Sequence, residues 1–265
     1  MGTDPGAINR VRASRPRFSL WTHFIRSYHH RRSMTTPTSR YWLAVTPAML
    51  VPFVLSLLYF DILPDHPVAR VLYTGSKVFL LVWPVFSTVV IYRERIPWPD
   101  VKAQKHWRAI PLGLIVGGVI VGAMFVLMET SVGDVVRGGA GKIRERAIQF
   151  GFLEHYWLFA IFIALGNSLF EEYYWRWFVF GGLRKVVPLV PALLLAGVAF
   201  AAHHVLVLSQ FFPTGWAFFF GGAVGVGGAI WCILYERQKT LMGAWVSHIV
   251  VDFGMLTIGH QILNS

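Results

Sequence analysis

The chain has 265 residues, of which 55% are hydrophobic and 14% charged, and its mean hydropathy is +0.54. Soluble domains carry about 25% charged residues, so this composition excludes an ordinary soluble domain and indicates a polytopic membrane protein. The formal net charge is +11. The basic residues are concentrated in the N-terminal tail and in short loops between apolar segments, which is how membrane proteins set their topology. We therefore expect membrane lipid, and not nucleic acid, as the partner of this charge.

The N-terminal residues 1–40 are polar, basic and poor in aliphatic side chains. This composition predicts a disordered or interfacial tail, and the lack of an adjoining short apolar core with a cleavage site argues against a secretory signal. Met34 is an alternative start of the chain. Residues 41–265 are predicted to form one transmembrane domain.

Seven apolar runs follow the tail, each near the ~20 residues that a helix needs to cross the hydrocarbon core. They are residues 41–63, 71–92, 110–128, 156–181, 189–208, 215–235 and 240–262. Because none alternates as membrane strands do, the predicted fold class is all-α, a polytopic helix bundle of about seven spans. The polar connection 129–155 predicts an amphipathic helix around 141–152, and an eighth, short or re-entrant element there is the alternative. The basic loops predict a cytoplasmic N-terminus in a cell inner or cytoplasmic membrane.

Ionisable residues lie inside three of the last four runs, where lipid makes them costly, so they must face protein or trapped water. They are Glu171, Glu172 and Arg176 in the fourth run, His203 and His204 in the fifth, and His248 and Asp252 in the seventh. Residues four apart share a helix face, which predicts an ion pair between Glu172 and Arg176 and brings His248 and Asp252 together. Glu171 is turned about 100° from Glu172. We predict a shared site among the C-terminal four spans.

This set of residues suits hydrolysis by an activated water molecule. A buried glutamate can accept a proton from water that a neutral histidine orients, and a second histidine with a carboxylate partner can donate to an oxyanion. A zinc site is an alternative, although His-Glu-x-x-His is absent and Arg176 stands beside the carboxylates. Further alternatives are a proton-coupled transporter, against which the chain shows no evident inverted repeat, and polar pairs that only fix helix packing.

The three motifs Glu171-Glu172-x-x-x-Arg176, Phe200-x-x-x-His204 and His248-x-x-x-Asp252 resemble those of the CPBP family. These are the CAAX-prenyl-protease and bacteriocin-immunity type intramembrane proteases, also called the ABI family. The resemblance extends from about residue 156 to the C-terminus, with the motif-bearing core at 156–262. The first three spans match only in general character.

The resemblance implies a glutamic-type intramembrane endopeptidase. From the residues we expect no metal or other cofactor, with zinc as the alternative given above. In such an enzyme Glu171 activates water with His204 as its partner, and His248 and Asp252 stabilise the oxyanion. Supporting positions are implied for Glu172, Arg176 and Phe200. We interpret His203 as a residue that either packs the helices or supports the site from outside. The expected substrate is a protein or peptide, cut near its C-terminus or close to the membrane; a non-catalytic bacteriocin-immunity protein is the alternative.

Overall fold

The computed structural model describes residues 37–64, 66–96, 104–149 and 151–264. Within these ranges the chain is helical with connecting turns and has no strand, so the all-α prediction is confirmed. The tail is predicted at residues 1–40, and its residues 1–36 lie outside the described part of the chain. The first helix begins at Thr38, two residues before the predicted end of the tail. Residues 97–103, with the basic residue Lys102 of the predicted loop, also lie outside the described part.

The apolar runs form helices at nearly the predicted positions. In chain order the helices are α1 (Thr38–Ile62), α2 (Val68–Ile91), α3 (Gln104–Met128), α4 (Ser131–Gly138), α5 (Ala140–Gln149), α6 (156–183), α7 (Leu189–Ser209), α8 (Thr214–Gln238) and α9 (Met242–Leu263). Among the described residues, six of them are long and apolar enough to cross a membrane, namely all but α4, α5 and α6. The chain is therefore a polytopic helix bundle, as its composition predicts.

Two parts of the prediction need adjustment in detail. The fourth run is helical throughout as α6, but it is not among the six apolar helices; its ionisable residues make it the most polar of the predicted spans. In the connection 129–155 the amphipathic helix corresponds to α5, with α4 before it. At eight and ten residues, α4 and α5 are too short to span a bilayer.

Helix α6 changes its winding several times along its length. It comprises α-helical Tyr156–Ile161, π-helical Phe162–Asn167, α-helical Ser168–Glu171, π-helical Glu172–Phe180 and a last α-helical turn, Gly181–Leu183. The change from α- to π-helix falls between Glu171 and Glu172. Such π-helical turns are frequent at functional sites, because they re-aim side chains relative to a regular helix.

Close packing of helices brings α9 to the site. Helix α9 packs along α3, and α7 packs along α8 and α1. A Cβ added at Gly117 of α3 would lie 2.9 Å from the backbone oxygen of Ser247 on α9, so only glycine allows this approach. Gly118 and Gly122 of the same helix do not serve such a contact, since a Cβ added at either would have no heavy atom of another helix within 4 Å.

Local signals set the ends of the helices that carry the site. Pro188 and Pro213 stand at the N-caps of α7 and α8, where proline loses no helical hydrogen bond. Helix α8 ends at Lys239, which adopts φ = 53° and donates its amide to the backbone oxygen of Tyr235. This left-handed residue begins the tight turn that leads into α9.

Candidate functional site

A buried hydrogen bond joins α6 to α9 at the centre of the bundle. His248 Nδ1 lies 2.8 Å from Glu172 Oε1, across 76 residues of sequence. The two residues are 4% and 0% exposed. A neutral or a protonated imidazole can donate Nδ1–H to a carboxylate, so this bond fixes the orientation of the His248 ring.

The other ring nitrogen of His248 faces two further carboxylates. His248 Nε2 is 3.8 Å from Glu171 Oε2 and 3.6 Å from Asp252 Oδ1. These separations exceed hydrogen-bond length, so the contacts are electrostatic. His248 therefore connects the acidic residues of the first motif with Asp252 of the third, as expected for one shared site.

The predicted ion pair between Glu172 and Arg176 is present and fully buried. Arg176 Nη1 is 3.1 Å from Glu172 Oε1, and the two side chains are 1% and 0% exposed. The guanidinium also lies over the rings of Phe200, at 4.5 Å, and Trp231, at 4.8 Å. None of the Arg176 nitrogens has an aligned hydrogen bond, so the arginine is held by charge and by cation–π contact.

Glu171 is the most accessible carboxylate of this cluster. Its side chain is 21% exposed, against 12% for Asp252 and 0% for Glu172. Glu171 Oε1 accepts a hydrogen bond of 3.0 Å from Asn167 Nδ2, one turn earlier on α6. Glu171 is thus oriented by a neutral donor while its other oxygen stays open to the side of His248.

The histidines of α7 complete the group. His204 Nδ1 lies 2.8 Å from the backbone oxygen of Phe200, and His204 interacts electrostatically with Glu171. The adjacent His203 stacks flat on Trp175, with ring centroids 5.2 Å apart and an interplanar angle of 4°. His203 thus packs against α6, and it also interacts electrostatically with Glu171.

Two residues of the site were missed at the level of sequence. Trp231 stacks on His248 with a centroid distance of 3.9 Å and donates its indole N–H to Ser247 Oγ at 3.0 Å. A tryptophan in an apolar run resembles any core residue, so no signal marked it. Asn167 had a usable signal, because it precedes Glu171 by four positions and must share its helix face.

In the described part of the chain, no three His, Cys, Asp or Glu residues are arranged to hold a metal ion. The cluster instead combines three carboxylates with Arg176 and the histidines. Such a group, partly open at Glu171 and closed by aromatic rings elsewhere, can bind and polarise a water molecule and transfer protons.

One family model matches the part of the chain that holds these residues. Its description is type II CAAX prenyl endopeptidase, Rce1-like, and the match covers residues 153–254. This segment includes every candidate site residue from Glu171 to Asp252. The comparisons with curated proteins and with solved structures found no match.

Proposed function

Residues 153–254 form a domain of the Rce1-like CAAX protease family, and from this premise we propose that the chain is a glutamic-type intramembrane endopeptidase. The observation that carries the proposal is the position of His248, which contacts Glu172, Glu171 and Asp252 at 2.8, 3.8 and 3.6 Å. Carboxylates are costly to bury inside a bundle of apolar helices. A cluster of them around a histidine therefore indicates a functional site.

In the proposed reaction, Glu171 and His204 bind the attacking water. Glu171 takes a proton from the water as its oxygen attacks the carbonyl carbon of the scissile peptide bond. The carbon–nitrogen bond then breaks, and Glu171 returns the proton to the leaving amine. The exposed edge of Glu171 and the single hydrogen bond from Asn167 support this role, because the second carboxylate oxygen is left for the water.

The tetrahedral intermediate carries an oxyanion, which needs hydrogen-bond donors placed in advance. His248 is the proposed donor. Its Nδ1–H is donated to Glu172, so only the protonated imidazolium also carries a proton on Nε2, the nitrogen that faces Glu171 and Asp252. His248 acts as donor in this protonated form. Asp252 supports the same nitrogen electrostatically as a carboxylate, and as a carboxylic acid it offers a second donor.

The ion pair of Glu172 and Arg176 has a positioning role in this proposal. Glu172 is fully buried and orients the His248 ring, and Arg176 compensates the charge of Glu172. Phe200 and Trp231 cover the guanidinium and exclude water from the pair. A fixed, dry support of this kind keeps an oxyanion donor in place during the reaction.

We propose that the substrate is a protein or peptide cleaved near its C-terminus or close to the membrane. The printed family name points to prenylated C-terminal tails, while the residues of this site recognise the peptide bond and carry no information on a prenyl group. We further propose that the N-terminus lies in the cytoplasm. This orientation places the basic connections with Arg184, Lys185, Arg237 and Lys239 on the cytoplasmic side, where Lys and Arg are in excess in membrane proteins.

The test is mass analysis of protein C-termini in membranes from cells with and without the chain, followed by cleavage of the identified peptide by purified protein. We expect Glu171→Gln and His204→Ala to abolish cleavage. Glu154 and His155 are adjacent to one another, exposed, and not part of the proposed site. They provide matched controls, and E154Q and H155A should cleave normally. Full activity of E171Q would overturn the proposal. Substrate flux in liposomes under a pH gradient without any cleavage would favour the transporter instead.

A further inference from the structure

A cavity lies at the end of the bundle where α6 and α8 finish, apart from the site described above. Its volume is about 490 Å³, within the range of about 300–1,000 Å³ that is typical of small-molecule sites. Its polar lining includes Tyr92, Glu94, Arg184, Lys185, Glu236 and Lys239. The proposed catalytic residues do not line it.

Two polar atoms in the wall of this cavity have no hydrogen-bond partner. Tyr92 is 6% exposed, and its buried hydroxyl is unpaired. Arg184 donates through Nη1 to the backbone oxygen of Val187 at 2.9 Å and through Nη2 to Glu236 at 3.2 Å, which leaves its buried Nε–H unpaired. Unpaired buried donors are unfavourable and rare in native proteins. A ligand with acceptor oxygens would satisfy both.

The charges around the cavity favour an anion. The lining has three basic side chains and two acidic ones. One of the acids, Glu236, is already ion-paired with Arg184 at 3.2 Å and with Lys239 at 3.3 Å. The other, Glu94, accepts a hydrogen bond of 2.8 Å from Tyr41. Lys185 is exposed at the rim and adds a positive charge without an acidic partner among the described residues.

The cavity also lies at the depth expected for lipid headgroups. Tyr92 follows the last residue of the α2 span, and Glu236 lies in the last turn of the α8 span. The ends of spans meet the headgroup layer, and basic pockets between spans at this level bind anionic headgroups. From the unpaired donors, the positive charge and this depth, we propose that the cavity binds a phosphate group, that of an anionic phospholipid.

The test uses the purified full chain in nanodiscs of phosphatidylcholine, with and without phosphatidylglycerol, and native mass spectrometry to measure bound phosphatidylglycerol. We expect Tyr92→Phe to weaken binding about tenfold, the size of one lost hydrogen bond to a charged group. The ring stays in place in this variant, because it packs against Tyr41, with ring centroids 4.5 Å apart, and stacks on Phe178 at 6.2 Å. Lys185→Gln should also weaken binding, while R237Q, an exposed neighbour outside the cavity, should not.

Two results would overturn the proposal. Equal binding of phosphatidylglycerol by the parent, Y92F, K185Q and R237Q proteins would show that the cavity holds no phosphate. Inorganic phosphate forms the second arm, added to protein in phosphatidylcholine nanodiscs. If it binds with the same dependence on Tyr92 and competes fully with phosphatidylglycerol, the site takes free phosphate and the lipid assignment is wrong. Because binding is measured without cleavage, failure here leaves the proposed peptidase activity untouched.

Discussion

Replacing Arg176 by methionine should destabilise the protein strongly, because it strands a buried charge. Glu172 is 0% exposed, and Arg176 Nη1 is the cationic group next to its carboxylate, at 3.1 Å. Methionine fills a similar volume but provides no compensation. The His248 imidazole still donates to Glu172 Oε1 at 2.8 Å, but the positive charge of the guanidinium is lost.

The expected loss follows from this burial. Removing one partner of a buried ion pair costs about 3–5 kcal/mol, because the other charge stays uncompensated. Loss of the cation–π contacts with Phe200 and Trp231 acts in the same direction. For a chain of this size each kcal/mol corresponds to about 2–4 °C in melting temperature, so R176M should melt about 6–20 °C below the parent.

The assay is thermal unfolding of purified protein in detergent, followed by intrinsic tryptophan fluorescence at one fixed scan rate, since membrane proteins commonly unfold irreversibly. Arg137 offers a matched control. It forms an ion pair of 2.9 Å with Asp134, but the two side chains are 49% and 75% exposed. Exposed pairs contribute about 0–1 kcal/mol, so R137M should melt within a few degrees of the parent.

A double variant makes the reasoning refutable. In R176M/E172Q the buried charge is removed with its partner, and the glutamine oxygen still accepts the His248 Nδ1–H bond. Since replacing both partners of a buried pair is often neutral or stabilising, this protein should melt well above R176M. If the double variant melts at or below R176M, the loss does not come from a stranded charge on Glu172, and the explanation is wrong.

Three further predictions concern the proposed reaction. Asn167→Ala removes the hydrogen bond of 3.0 Å to Glu171 and should lower kcat about tenfold with little change in melting temperature, whereas N167D should lower it further by placing a second carboxylate there. Trp231→Phe keeps an aromatic ring on His248 but loses the bond to Ser247; it should retain most activity, and W231A should lose it along with about 3–5 kcal/mol of stability. Incubation with a metal chelator should leave cleavage unchanged, and loss of activity that added zinc restores would establish the metal alternative.

Hydropathy and helical spacing predicted much of this protein. Runs of about 20 apolar residues must be helical in lipid, and the bounds of α1, α2, α3 and α7–α9 lie within a few residues of those expected, except that α3 begins at Gln104, six residues earlier. The spacing of four residues also predicted the buried pair of Glu172 and Arg176. Such predictions succeed because both partners lie on one helix, whose geometry the sequence alone determines.

The contacts between helices were out of reach. Pairing of His248 with Glu172 depends on the rotation of α9 against α6, and spacing within either helix carries no information on it. The π-helical stretch Glu172–Phe180 adds a second obstacle, because it departs from the regular 3.6-residue turn by which side chains are assigned to faces. Sequence alone therefore predicted an ion pair for Glu172, but not its bond to the histidine.

That bond alters the division of work between the two adjacent glutamates. By spacing alone, Glu172 would serve only to neutralise Arg176. In the structure one oxygen of Glu172 faces both Arg176 and His248. Arg176 therefore stabilises the Glu172 carboxylate, and this carboxylate orients the His248 imidazole. If His248 is the oxyanion donor, a change at Arg176 acts on catalysis through two intervening groups. Glu171 lies one residue away and is 21% exposed, so its carboxylate is accessible to water. In the proposed reaction, two adjacent positions of one helix therefore have different roles: the buried Glu172 supports His248, and the more exposed Glu171 acts on the water.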